Sequence, residues 1–178
     1  DNIGRPSYRI YRTIRNEAGT DSWQTNGSYF ITPLADRVEV IDDNMRFIKL
    51  HSPVKNGFLW KGNKFLANDP YSSLYNFSND DAMEDWDYFI DGDKTAEQIG
   101  TQSIPDIFTI LQADEAINAP VTVASAYGAK TFSLEKYAKG IGMVAREHTL
   151  WEYQPNPSGQ GGPYKTGFGI KMWMIDHN

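Results

Sequence analysis

The chain contains no cysteine and has an excess of acidic over basic residues, and each feature excludes a class of protein. Without cysteine, its 178 residues can form no disulfide and no zinc–thiolate site. Lysine and arginine number 17 against 23 aspartates and glutamates, so the net charge is −6. A nucleic-acid-binding protein needs concentrated positive charge to displace phosphate counterions, and no lysine or arginine cluster stands out here. We therefore expect no nucleic-acid partner.

Long apolar runs are missing as well. No stretch approaches the ~20 apolar residues that a membrane-spanning helix requires. No signal peptide is visible, and the opening Asp1-Asn-Ile-Gly4 is compatible with a mature chain from which a targeting segment was removed. The length predicts a single domain over residues 1–178, large enough to bury a core.

Aromatic residues, by contrast, are plentiful, with five Trp, ten Tyr and nine Phe. Aromatic side chains favour β-strands, and the alternation of apolar and polar residues predicts strands at intervals of about ten residues. The hairpin expected over 37–50 turns at Asp42-Asp43-Asn44. The other predicted elements before residue 125 are strands at 7–15, 29–31, 86–90, 107–112 and 121–124, a further short strand within 58–65, and a short helix at 96–99.

The last third of the chain predicts a three-strand meander, with strands near 129–138, 141–154 and 167–176. The Gly- and Pro-rich stretch 155–166 is interpreted as a long hairpin loop. Short connections between successive strands imply antiparallel neighbours. The predicted fold class is all-β, a strongly twisted antiparallel sheet that forms a closed or partial barrel.

The glycines of this meander lie at four positions, Gly140, Gly142, Gly167 and Gly169. A Gly-x-Gly sequence also occurs in phosphate-binding loops, but there a helix follows it, and here a strand pattern follows. Gly140 is expected in the β-turn and the others where the sheet bends.

Five aromatic residues of the meander are the candidate ligand-binding residues. If the sheet curves around them, they line an apolar pocket for a lipid or another hydrophobic molecule. Two alternatives remain open: the rings fill the core, or they form an exposed platform for sugars. The five are Tyr137, Trp151, Tyr153, Phe168 and Trp173.

The densest run of charge is acidic. Calcium prefers six to eight oxygen ligands, but this run matches no calcium-binding loop, so a solvated acidic loop is the default interpretation and no metal is expected. The run consists of Asp80, Asp81, Glu84, Asp85, Asp87, Asp91 and Asp93.

Arg146, His148 and Glu152 share one face of the strand 141–154. They could act as a general base with its partners, but such groups on an exposed sheet face are usually cross-strand ion pairs. No Gly-x-Ser-x-Gly motif is present, and the three histidines lack metal-ligand spacing. We expect no catalytic residue and no cofactor.

The chain resembles a family of uncharacterised secreted lipoproteins of Bacteroidota-type bacteria in three segments, Tyr137-Ala-Lys-Gly-Ile-Gly-Met-Val144, Trp151-Glu-Tyr-Gln-Pro155 and Gly167-Phe-Gly-Ile-Lys-Met172. The resemblance extends to Asn44-Met-Arg-Phe-Ile-Lys-Leu50 and Trp60-Lys-Gly-Asn63. It departs at Met143 and Ala145, where a leucine and an aromatic residue would be expected.

The resemblance implies a curved antiparallel sheet or partial barrel, similar to lipocalin-like and lipoprotein-carrier folds. It also implies an extracytoplasmic, outer-membrane-anchored lipoprotein, periplasmic or surface-exposed, held by a lipidated cysteine upstream of Asp1. Membrane contact would come only through that anchor. The family has no established activity to carry over.

The predicted function is therefore a non-enzymatic extracytoplasmic domain that binds a hydrophobic or amphipathic ligand in a concave β face. The first alternative is a cell-envelope module that binds a protein or glycan without a ligand cavity. A glycan- or lipid-directed hydrolase is the second.

Overall fold

The computed structural model describes residues 4–78, 82–155 and 161–177, and it is an all-β structure of two antiparallel sheets. The four-stranded sheet runs in chain order, and the six-stranded sheet has the order β10-β9-β8-β7-β6-β5. The strands are β1 Tyr8–Ile14, β2 Gln24–Pro33, β3 Arg37–Asp42, β4 Met45–His51, β5 Leu59–Lys61, β6 Asp87–Ile99, β7 Gln102–Ile117, β8 Gly128–Ala138, β9 Gly142–Gln154 and β10 Tyr164–Trp173.

Helical structure is limited, within the described residues, to one 3₁₀ turn at Met83–Asp85. None of the helices in that part of the chain is long and apolar enough to span a bilayer. Among the described strands, β1 and β10 each pair on one side only, so the hydrogen bonding does not close a barrel. The all-β prediction is confirmed, and the closed barrel is not.

The C-terminal meander is confirmed, although β10 begins and ends about three residues earlier than predicted. Gly140 adopts a φ of 80° in the turn between β8 and β9, as expected. Gly167 is required for a second reason, because a Cβ at this position would lie 2.2 Å from the carbonyl oxygen of Leu150 on the neighbouring strand. The β3–β4 hairpin is also confirmed, with Asp43 and Asn44 at φ 50° and 61°.

Two of the predicted elements are wrong. Residues 96–99 are not helical but belong to β6, where pairing with β7 overrides the local pattern. Residues 121–124 are not a strand. The side chain of Asn118 accepts hydrogen bonds from the backbone N–H groups of Thr122 and Val123 at 3.0 and 3.2 Å, and this folds the segment into a loop.

The two sheets are joined where β4 meets β5. The N–H of Ile48 donates to the carbonyl of Gly62 at 2.7 Å, and the indole of Trp60 donates to the carbonyl of Ile48 at 2.8 Å. The main core cluster lies at this junction and comprises Ile48, Trp60, Tyr88, Ile90, Ile110 and Tyr137. A second cluster contains Ile99, Ile104, Ile107, Ala138 and Val144.

One face of β8, β9 and β10 carries the candidate site, and we call it the inner face. Residues directly opposite in paired strands share a face, so the register identifies its members. Ser133 lies opposite His148, and Glu135 lies opposite Arg146. On β10 the inner face presents Phe168, Ile170 and Met172, opposite Leu150, His148 and Arg146 respectively.

Substitution of Gly62 by alanine is expected to destabilise the protein strongly. A Cβ here would lie 2.3 Å from the ring of Tyr88, which is buried in the core cluster and cannot move aside. Overpacking of this kind costs up to about 3 kcal/mol, and denaturant unfolding measures the loss. The matched control is Gly162→Ala, because the space around Gly162 is open. Equal stability of the two variants would contradict the packing described here.

Candidate functional site

A buried cluster of charged groups lies where the inner face meets β4. The Lys49 ammonium donates to Oε1 of Glu135 at 2.7 Å, and the Tyr137 hydroxyl donates to Oε2 at 2.8 Å. Arg146 Nε lies 3.6 Å from Glu135 Oε1, which is too long for a hydrogen bond. Glu135 is 1 % exposed, so two cations surround one carboxylate that is almost completely removed from water.

Burial and charge act in opposite directions on the ionisation of this cluster. Burial alone would raise the pKa of Glu135, but Lys49 and Arg146 outweigh it and hold that pKa below its ordinary range. Burial lowers the pKa of Lys49 despite the neighbouring carboxylate. Burial raises the pKa values of Tyr88 and Tyr137 well above 10, so both phenols are neutral hydrogen-bonding groups.

A neutral polar chain continues along the inner face. Ser133 Oγ donates to Gln112 Oε1 at 2.6 Å and lies 2.9 Å from His148 Nδ1. With Ser133 donating to Gln112, the tautomer that completes this chain carries its proton on Nδ1 of His148 and donates it to Ser133. His148 Nε2 is then a bare lone pair, and it is buried with no hydrogen-bond partner in the described part of the chain.

His148 is uncharged in this environment. Burial, followed by repulsion from Arg146 and Lys49, lowers its pKa to about 3. At neutral pH the ring is therefore a hydrogen-bond acceptor at Nε2 and not a cation.

An irregular segment covers this face, and we call residues 63–78 and 82–86 the cover segment. Its backbone forms short-range turns, with hydrogen bonds such as those from the Leu66 N–H to the Asn63 carbonyl and from the Leu74 N–H to the Tyr71 carbonyl. Tyr71, Tyr75 and Phe77 are half-buried, whereas several neighbours are exposed. The cover segment therefore packs on the sheet through these three aromatic side chains.

Aromatic rings from the cover segment surround His148. Tyr71 and Tyr75 contact Phe168, with ring centroids 5.2 and 5.3 Å apart. Phe168 lies 5.3 Å from the His148 ring, and Tyr71 and Trp86 each lie 6.4 Å from it. The unpartnered nitrogen is thus enclosed in an aromatic environment.

Glu152 fixes the cover segment at a further point. Its Oε2 accepts from the N–H and the hydroxyl of Ser78 at 2.8 and 3.0 Å. Gln154 donates to the same hydroxyl at 2.7 Å. A small cavity of about 10 Å³, room for about one water molecule, lies between the cover segment and the sheet and is lined by Asn68, Asp69, Pro70, Tyr71, Phe77, Met83 and Leu150.

The five predicted ligand-binding aromatics do not lie together. Tyr137 and Phe168 are on the inner face, Tyr137 in the core against Phe108 and Phe168 beneath the cover segment. Trp151, Tyr153 and Trp173 belong to the opposite face, since their cross-strand partners are Gly167, Lys165 and Ala145. Trp151 packs under the ammonium of Lys165. Two of the five therefore belong to the candidate site.

The expected exposure of the face that carries Arg146, His148 and Glu152 is wrong, although Arg146 does form a cross-strand ion pair, with Glu135. The three residues share a face, as predicted, but His148 and Glu152 are each 3 % exposed, because the cover segment buries that face. They also do not form one cluster, since Arg146 lies beside Glu135, His148 beside Ser133, and Glu152 beside Ser78.

The acidic run is dispersed along a strand. Asp87, Asp91 and Asp93 lie on β6, and Asp85 ends the 3₁₀ turn. Within residues 4–78, 82–155 and 161–177, no group of three or more His, Asp or Glu side chains could hold a metal ion. Asp80 and Asp81 lie outside the described residues.

Two residues of the site, Lys49 and Glu135, were not singled out from the sequence. Lys49 interrupts the apolar run Phe47-Ile48-Lys49-Leu50, and a charge inside an apolar strand is a signal of a buried partner. Its partner is 86 residues away, which no local pattern can identify.

A second buried carboxylate, Glu39, differs from Glu135 in that each cation beside it also donates a hydrogen bond to it. It is 1 % exposed and is paired with Arg5, Arg37 and Arg46. This group therefore stabilises the first sheet and offers no unmet donor or acceptor on Glu39.

In comparisons with known proteins, no family model, no curated protein and no solved structure matches this chain. The geometry of the inner face is consequently the basis for any statement of function.

Proposed function

We propose that the protein is a non-enzymatic binding domain of the bacterial cell envelope that holds a hydrophobic or amphipathic ligand between the cover segment and the inner face. The observation that carries this is the His148 Nε2 lone pair, which is buried among Tyr71, Trp86 and Phe168 without a partner. A buried polar atom without a hydrogen bond costs about 1–3 kcal/mol. A ligand that donates to it, or a water admitted with the ligand, recovers that energy.

The cover segment supports this proposal because its contacts resemble those of a ligand. Its aromatic side chains lie on Phe168 and His148, while its own backbone adds no strand to either sheet. Segments with few backbone hydrogen bonds to their neighbours open at low free-energy cost. Opening would expose an apolar face with polar groups at its floor, which is the usual composition of a ligand site.

The architecture of this binding domain would be a partial barrel. The bonds from Ile48 to Gly62 and Trp60 continue the first sheet into the second, and the inner face lies on the same side as Lys49. The two sheets would then be the walls, with the cover segment between them.

Catalysis is less well supported by this geometry. Ser133 is 1 % exposed and already donates to Gln112, so it is not available to a substrate. A histidine with a pKa of about 3 is too weak a base to hold the proton of an attacking hydroxyl near neutral pH.

A reversible disulfide cross-link tests whether the cover segment opens. Since the chain has no cysteine, the double variant Ser78→Cys/Gln154→Cys contains only the engineered pair. Because Gln154 reaches Ser78 with the end of its side chain, at 2.7 Å, the two cysteines are joined by a short bis-methanethiosulfonate linker to give the oxidised form, which reduction releases. We expect the apolar fluorophore 1-N-phenylnaphthylamine to bind the wild type and the reduced variant, and to bind the oxidised variant at least about tenfold more weakly, a loss of about 1.4 kcal/mol.

The control for this test is the same protein after reduction, which has an identical sequence. Equal fluorophore affinity in the oxidised and reduced forms would show that binding does not require the cover segment to move. Absence of binding to the wild type would leave the envelope interaction module as the better proposal. Native mass spectrometry of freshly purified protein would reveal a co-purified ligand directly.

The cellular location is proposed from the resemblance alone. A lipidated cysteine upstream of Asp1 would place the domain at the outer membrane. Cell fractionation of the full-length product, with and without that cysteine, measures this.

A further inference from the structure

The charges of the candidate site do not balance. Lys49 and Arg146 face Glu135, and Tyr88 and Tyr137 beside them are neutral. The carboxylate of Asp42 also attracts Lys49 electrostatically, but Arg12 binds both of its oxygens at 2.9 Å. The site therefore has one positive charge more than its carboxylate can neutralise, although the whole chain has a net charge of −6.

Arg146 is the cation whose hydrogen bonding is incomplete. Lys49 and Tyr137 each donate a hydrogen bond to one oxygen of Glu135, and both are closer to it than Arg146 is. The Nε of Arg146 is buried with no hydrogen-bond partner in the described part of the chain. The Nε atom itself is enclosed, but the side chain as a whole is 26 % exposed, so an anion from solvent can reach the guanidinium at its other nitrogens.

An apolar row leads from this cation along β10. Met172 lies opposite Arg146 and Ile170 lies opposite His148, and each is 43 % exposed although it belongs to the inner face. Phe168 continues the row beneath the cover segment. Alternate residues on a strand rise by about 6.7 Å, so the row extends for about 13 Å.

We propose that the ligand is a single-chain anionic amphiphile, with its carboxylate on Arg146 and its hydrocarbon chain along Met172, Ile170 and Phe168. This inference rests on the proposed function and specifies its ligand. Charge complementarity selects the anionic head, since Arg146 has an unused donor and the surplus positive charge has no other counterion among the described residues. The exposed apolar side chains favour a hydrocarbon chain in the ligand. A free fatty acid and the acyl chain of an acidic lipid share this chemistry.

Competition against bound 1-N-phenylnaphthylamine tests the proposal with three competitors of equal chain length: dodecanoate, dodecanol and dodecyltrimethylammonium. We expect dodecanoate to compete at least about tenfold better than dodecanol, and the cation to compete worst. Arg146→Gln should reduce dodecanoate to the level of dodecanol and leave dodecanol unchanged. The matched control is Lys171→Gln, on the neighbouring strand but opposite Glu147 and 70 % exposed, which should change neither.

A second variant requires no change in the buried cluster. Met172→Glu places a carboxylate opposite Arg146 at a half-exposed position. This variant should weaken the binding of dodecanoate by about tenfold relative to that of dodecanol, because the new carboxylate pairs with the Arg146 guanidinium. Thermal unfolding establishes that each variant is folded.

The outcomes separate this inference from the proposed function. Equal competition by dodecanoate and dodecanol in the wild type, or a preference for the cation, would overturn the anionic ligand and leave the binding function standing. Undiminished dodecanoate binding in both Arg146→Gln and Met172→Glu would overturn the assignment to Arg146. Failure of the fluorophore itself to bind would overturn both proposals. If dodecanoate competes with the fluorophore for the wild type and vesicles of acidic phospholipid do not, the ligand is a free fatty acid.

Discussion

Acidification from pH 6.5 to 4.5 is expected to lower the free energy of unfolding by about 2.3 kcal/mol through His148 alone. Its pKa is about 3 in the folded protein, against 6.5 when unfolded, so the unfolded state binds the additional proton throughout this window. The stability is therefore fully present above pH 6.5 and is lost as the pH falls towards 3. At the lower end the loss reaches about 5 kcal/mol, comparable with the whole stability of many domains.

Urea unfolding of wild type and His148→Gln at pH 6.5, 5.5 and 4.5 measures this effect. The variant should lack most of the decline, because glutamine does not titrate. His51→Gln is the control, since His51 is near the surface with its side chain 25 % exposed. Glu135 adds its own loss only below pH 4.5, since its folded pKa is lowered, so the window above that value reports on His148. Parallel pH profiles for wild type and His148→Gln would refute the prediction.

Glu135→Gln is expected to cost about 3–5 kcal/mol, because it leaves the buried ammonium of Lys49 without its counterion and close to the charge of Arg146. The shape of the side chain is retained, so the loss reports charge and not a cavity. The comparison is Glu97→Gln, which breaks the Lys136 ion pair at positions that are each 25 % exposed. A pair of that exposure is worth at most about 1 kcal/mol.

The assignment of the loss to charge is checked by a second substitution. Adding Lys49→Met to Glu135→Gln removes one uncompensated cation and should recover part of the stability. Denaturant midpoints of the two single variants and the double variant give the coupling free energy. Equal losses from Glu135→Gln and Glu97→Gln would indicate that water reaches the cluster and screens it.

The charge cluster and the incomplete hydrogen bonding of His148 follow from the same feature of the fold. The inner face would be solvent-exposed if the six-stranded sheet stood alone, and the polar residues Ser133, Glu135 and Arg146 are typical of such a face. The cover segment and β4 bury most of it. Polar groups such as His148 are therefore enclosed among apolar ones, and this is the physical basis of the proposed binding function.

The last third of the chain could be predicted because strand alternation is a local property. Register in β8, β9 and β10 follows from the period-2 pattern and from Gly140 at the turn, so the shared face of Arg146, His148 and Glu152 was correctly predicted. The helix predicted at 96–99 was wrong because the conformation of that segment is not a local property. A short segment has too little pattern of its own, and pairing with β7 decided its conformation.

The fold class, the meander and the residues of each strand that share a face could be read from the order of amino acids, because these depend on neighbours along the chain. Which side of the sheet is buried depends on contacts between distant parts of the chain. Ser78 reaches Glu152 across 74 residues and Lys49 reaches Glu135 across 86, and no local pattern encodes such contacts. As a result, the face that was expected to be exposed is a covered site, and Trp151, Tyr153 and Trp173 lie on the opposite face of the sheet.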